Sequence, residues 1–130
     1  MHTTFRAALA TCLIALGALP SARAAPAACE TRAITMLDAL DRHDYPAAMH
    51  DWDAHMRATF QPDKVRSMWE ALTGNSYNPY RSHASQGTTT DNGDGTVTVE
   101  VPLEFAYASM RASVTCNAKE GDAIAEFVVH

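Results

Sequence analysis

The stretch Thr96-Val97-Thr98-Val99-Glu100-Val101-Pro102-Leu103-Glu104-Phe105 alternates with a period of two. Val97, Val99, Val101, Leu103 and Phe105 share one face, and Thr96, Thr98, Glu100 and Glu104 share the other. Successive side chains of a strand point to opposite sides, so the pattern predicts a strand with one buried and one wet face. Pro102 lies on the wet face and cannot donate to a ladder, which predicts an edge, a bulge or a bend there. Just upstream, Asp91-Asn92-Gly93-Asp94-Gly95 predicts a hairpin turn. A calcium-loop reading of it fails: with Gly95 at the sixth position, Thr90 and Val101 occupy the first and twelfth, where oxygen ligands are required.

Working outward, the polar segment from Ser82 to Thr90 reads as a weak strand, and Asn75 to Arg81 as turn. Downstream, Met110, Ala112, Val114 and Cys116 alternate as a second clear strand, and Asn117 to Asp122 turns the chain. Ala123 to Val129 is apolar apart from Glu126 and reads as a last strand covered on much of both faces. The second half is therefore an antiparallel sheet of about four strands.

The first half has helical periodicity. Ala33, Ile34, Leu37 and Leu40 recur at helical spacing within a helix expected over Cys29 to Arg42. Asp44 suits an N-cap and Pro46 the first turn of a second helix, whose stripe runs through Tyr45, Ala48, Met49, Trp52 and Met56 to a stop at Thr59-Phe60-Gln61. Pro62 and Asp63 open a third, where Val65, Met68, Trp69 and Leu72 fall at i, i+3, i+4 and i+7, and Gly74 is placed to stop it. Helices followed by antiparallel strands define an α+β domain. Three helices on a flat small sheet would leave part of it bare, so a curved sheet around an apolar hollow is expected, with the Trp52 and Trp69 stripes in or beside it.

The 130 residues have room for a single domain. Residues 1–24 read as a secretory signal: a basic start at Arg6, an apolar run from Ala7 to Leu19, then Ala22-Arg23-Ala24, with cleavage expected after Ala24. The run is too short to span a membrane, so residues 25–130 form the mature domain, periplasmic or secreted, with no stable membrane anchor. The formal net charge is −5, and it becomes two units more negative once Arg6 and Arg23 leave with the leader. That excess of acid argues against nucleic acid and against anionic membranes as partners. Without Cys12, two cysteines remain. In an oxidising compartment Cys29 and Cys116 are expected to pair; they lack the spacing of a zinc site.

The run Leu40-x4-Tyr45-x2-Ala48-x3-Trp52-Asp53-x2-Met56-Arg57, then Val65-x3-Trp69-x2-Leu72-x-Gly74, resembles the helical half of domain-of-unknown-function family 3887. Val99-x-Val101-Pro102-Leu103-x-Phe105, Met110 to Thr115 and Asp122-x-Ile124-Ala125 are similar to that family's sheet half. The resemblance covers about Ile34 to Val129 and implies three helices on a cone-shaped sheet of the nuclear transport factor 2-like superfamily. It also implies a possible homodimer through the sheet. The superfamily hosts enzymes and pure binding modules, so fold alone does not choose between them.

Candidate chemistry is sparse. The acids fall on outer helix faces (Asp38, Asp41, Asp51), in turns (Asp91, Asp94, Asp122) or on the wet strand face (Glu100, Glu104). Asp53 reads as a cap. His43, His50, His55 and His83 have no ligand spacing that a metal would use, and Asp51 and His55, four apart, are expected to face each other as a surface pair. No nucleophile motif occurs. No catalytic residue, metal or cofactor is assigned. Trp52, Met56, Trp69, Tyr77, Tyr80 and Tyr107 are the candidate lining of a pocket or patch. The expected activity is non-catalytic binding of a protein partner or a small apolar ligand. The alternatives are a small cone-fold enzyme using a pocket carboxylate or histidine, and a periplasmic immunity or inhibitor protein acting on a toxin.

Overall fold

The computed structural model describes residues 24–130. The expected signal segment, apart from Ala24, lies outside the described residues. The order is α1 (Ala24–Asp41), α2 (Tyr45–Ala48), α3 (Ala54–Thr59), α4 (Pro62–Thr73), β1 (Tyr80–His83), β2 (Thr88–Asp91), β3 (Thr96–Phe105), β4 (Met110–Asn117) and β5 (Ala123–Val129), with a 3₁₀ turn at Ala118–Glu120. The fold is α+β, with helices packed on an antiparallel five-stranded sheet.

Strand β3 is central. Its buried face is the one the alternation predicts: Val97, Val99, Val101, Leu103 and Phe105 are buried, while Pro102 and Glu104 are exposed. β4 pairs along one side of it, and β5 pairs with β4 at the sheet edge. The other side is shared by β1 and β2, so the expected single weak strand is two short ones.

Pro102 explains the break. Arg111, opposite Pro102, exchanges both backbone hydrogen bonds with His130 on the far side of β4 (2.8 and 3.0 Å). By strand alternation, Pro102 therefore turns its backbone toward β1 and β2. Its carbonyl accepts from the Ala84 N–H (2.9 Å), but its nitrogen has nothing to donate. The facing strand parts there, between His83 and Thr88. Gly87 returns the chain: a Cβ on it would lie 2.6 Å from Val99 Cγ1 and 2.9 Å from the Glu100 carbonyl oxygen, so only glycine fits this approach. The Asp91–Gly95 turn joins β2 to β3 as a hairpin. Asp91 accepts from the Gly93 N–H, and Asp94 accepts from the Thr96 N–H, both at 2.9 Å.

The expected second helix is two helices. α2 is capped by Asp44, which accepts from the Ala47 N–H at 3.2 Å, and it ends at Met49. The next residues serve the sheet instead: the Ile124 N–H donates to the Asp51 carbonyl (2.7 Å), and the Asp53 N–H donates to the Ile124 carbonyl (2.9 Å). Asp53 then caps α3, accepting from the Met56 N–H at 2.8 Å. The apolar stripe survives because both short helices and the link between them face the same core.

β5 departs from expectation as well. It is an edge strand, and Glu126 and Val128 are exposed. An irregularity between Thr115 and Cys116 shifts the register: Val129 faces Ala112, Phe127 faces Val114, and Ile124 faces Cys116. The phase change lets residues three apart, Ile124 and Phe127, share one face. A run that looks apolar on both faces is thus a one-sided strand with a slip in its alternation.

Cys29 and Cys116 form a disulfide, Cα–Cα 5.8 Å, that ties α1 to β4 across 87 residues of sequence. Around it Cys29, Ala33, Leu37, Val99, Val114 and Ile124 are fully excluded from solvent. Ile34, expected in the core stripe of α1, is only partly buried.

Candidate functional site

Helix α4 starts with Pro62, whose missing N–H costs nothing in a first turn, and it leans on α2. Helix α3 runs on from the link that is bonded to β5. Between these two helices and β5 lies a hollow of about 370 Å³. Val65, Met68, Trp69 and Leu72 of α4 form one wall, which is the i, i+3, i+4, i+7 stripe read from the sequence. Trp52, Met56 and Phe60 form a second, Phe127, Val128 and Val129 a third, and Leu40 of α1 completes the lining. All of these side chains are apolar. Met56, Phe60, Phe127 and Val128 also wall a neighbouring cleft of about 270 Å³, where His55 and Glu126 add polar character.

The walls are fixed from behind. The Trp52 indole N–H donates to Met36 Sδ at 3.2 Å, and Phe60 meets the Trp52 ring edgewise at 6.2 Å. Trp69 packs against Tyr80 at 5.4 Å, and Tyr80 against Phe105 at 5.3 Å, both edge-on. Both tryptophans are 4% exposed, whereas Met68 at the mouth is 55% exposed.

Of the six residues singled out in the sequence, Trp52, Met56 and Trp69 meet at the hollow. Tyr80 stands behind Trp69 and donates its hydroxyl to Asp41 at 3.2 Å. Burial, then that contact with Asp41, pushes the Tyr80 phenol well above its usual range. Tyr77 and Tyr107 do not join the hollow: they are 88% and 84% exposed. Their two loops are stitched together by Asn78, whose side-chain oxygen accepts from the Tyr107 and Ala108 N–H groups (2.9 and 3.2 Å). Sequence reading missed the contributions of Leu40, Phe60 and β5. The slip in β5 hid which of its residues face inward, and Phe60 read only as a helix stop.

Apart from His55 and Glu126 in the adjoining cleft, the bonded titratable groups gather elsewhere. His83 is nearly buried between α1 and β1, with Nε2 2.8 Å from Asp38 and 3.7 Å from Asp41, and Nδ1 2.7 Å from the Ala84 carbonyl. Asp38 and Asp41, expected on an outer face, therefore fasten the helix to the sheet. Tyr45 is hydrogen-bonded to His43 (2.9 Å) and Glu70 (3.4 Å). Burial, then the Glu70 charge, raises its phenol. Asp51 pairs with His50 at 3.1 Å, not with His55, because the helix is broken between Asp51 and His55. Asp94 is held below the usual carboxylate range by hydrogen bonds from Thr96. Among the described residues, no three His, Cys, Asp or Glu side chains are grouped to share a metal ion, and no helix is long and apolar enough to cross a membrane.

The outer face of the sheet is polar and internally bonded. Thr98 and Thr115 share a hydroxyl hydrogen bond at 3.0 Å. Ser113 reaches Glu100 (3.4 Å) and His130 (3.0 Å), and Arg111 lies 3.5 Å from Glu100.

The site thus defines an α+β domain with an apolar hollow at one end of its helical layer. Comparison with known proteins finds no matching family model, no matching curated protein and no matching solved structure.

Proposed function

We propose that this protein is a non-catalytic binding domain that takes a small apolar ligand into the hollow between α3, α4 and β5. The observation that carries the reading is the lining: every side chain that walls the hollow is hydrocarbon, aromatic or thioether. An apolar hollow of this size matches the low end of small-molecule pockets, and methionine walls adapt to varied apolar shapes. Acid–base catalysis would need a carboxylate or imidazole aimed at the reacting atoms; neither kind lines the hollow itself, and His55 and Glu126 line only the adjoining cleft. A large apolar patch would mark the sheet as a docking surface, but that face carries Thr, Ser, Glu and Arg. The small-ligand reading is therefore preferred over sheet-mediated partners, including a homodimer or a toxin.

The Cys29–Cys116 disulfide supports an oxidising compartment, in line with the secretory reading of residues 1–24. The nuclear transport factor 2-like cone and kinship with domain-of-unknown-function family 3887 belong to the same proposal. They are supported by the quoted residue pattern, by helices that precede an antiparallel sheet, and by the register slip at Thr115/Cys116.

The test is fluorescence of the neutral probe N-phenylnaphthylamine. The expected result is saturable enhancement by the wild type that Met68→Trp suppresses, because a larger ring at the exposed mouth fills the entrance without touching the core. Equal enhancement by both proteins would remove the hollow as the site.

A further inference from the structure

The charges around the hollow are unevenly placed, and the unevenness selects a ligand class. Lys64, in the first turn of α4, holds its ammonium 5.1 Å from the centre of the Phe60 ring, itself a wall of the hollow. Among the described residues Lys64 pairs with no carboxylate; its neighbour Asp63 lies 4.0 Å from Arg66 instead. The opposite charge sits in the adjoining cleft, where Glu126 lines the side of β5. An apolar trench with a cation beside one wall suits an amphiphile with an anionic head. From this arrangement we infer that the hollow binds a medium-chain amphiphile with an anionic head, its hydrocarbon tail among Trp52, Val65 and Trp69 and its carboxylate at Lys64. This assignment rests on the hollow being the ligand site. The volume limits the tail: about 370 Å³ suits one medium chain and not a two-tailed lipid.

Decanoate, decanol and decyltrimethylammonium differ in head charge on the same tail. Each is titrated, below its aggregation concentration, into the wild type and into Lys64→Gln, with tryptophan emission as the readout because Trp52 and Trp69 both line the hollow. Decanoate is expected to bind about fivefold tighter than decanol, the scale of an exposed ion pair, with decyltrimethylammonium weakest. Lys64→Gln, an exposed substitution that leaves the core alone, is expected to bring decanoate down to the decanol value. The decanoate advantage should also shrink as salt is added. Equal binding of decanoate and decanol, or a preference that survives Lys64→Gln, would overturn the anionic-head assignment while leaving the hollow as a site. Silence from all three probes would overturn the hollow reading and this assignment together.

Discussion

The two ends of the helical layer use the same sheet differently. At one end, α1 lies across β3 and is stapled to β4, and Leu37, Val99 and Val114 are wholly excluded from solvent. At the other, α4 carries a stripe just as apolar, and with Trp52, Met56 and Phe60 it borders an open hollow beside β5, where Met68 stays 55% exposed. The closed end, with its disulfide, holds the fully buried core.

The largest effect that would break this contrast concerns the disulfide. The double variant Cys29→Ser/Cys116→Ala should lose about 4–5 kcal/mol in urea unfolding, the chain-entropy expectation for a loop of this length, while molecules still folded keep their affinity for an apolar probe. A loss of affinity in the folded fraction would show that the two ends are not separable. Next in size, Leu37→Ala should cost about 2–5 kcal/mol, against less than about 0.5 kcal/mol for Met68→Ala. Equal shifts in denaturation midpoint would mean that the hollow is packed like the core.

The sequence carried the closed end almost completely, because strict alternation in Thr96–Phe105 and regular helical spacing in α1 each have one physical reading. The disulfide followed from counting cysteines. The open end was legible only in part. The α4 stripe forms one wall, and Trp52, Met56 and Trp69, singled out in the sequence, all line the hollow. The break between α2 and α3 was hidden because it depends on backbone bonds from Asp51 and Asp53 to Ile124, a partner more than 70 residues away. The slip in β5 was hidden for a similar reason: a register change leaves a run of apolar residues looking uniformly buried. Tyr77 and Tyr107 stand in solvent, because aromatic character alone does not say whether a loop turns its ring inward.

Smaller effects sharpen the same comparison. Asp53→Ala removes the α3 cap and should cost about 1 kcal/mol. Because α3 carries a wall of the hollow, probe affinity should fall with it; an unchanged affinity would detach α3 from the site. The least effect is expected from pH. Tyr45 and Tyr80 have phenols raised by burial, so the fold favours their neutral forms. Their contribution is fully present below the unfolded phenol value, near pH 10, and is lost as pH climbs through the folded values. Thermal midpoints should therefore decline on the alkaline side of about pH 10, and Tyr80→Phe should flatten the decline. A decline of the same steepness in that variant would assign it to other groups.

Methyl NMR during a decanol titration separates the hollow from the closed end residue by residue. Methyl signals of Met56, Val65, Met68, Leu72 and Val129 are expected to shift together and saturate, while those of Leu37, Val99 and Val114 stay in place. Shifts spread evenly over both sets, or none in the first set, would contradict that separation.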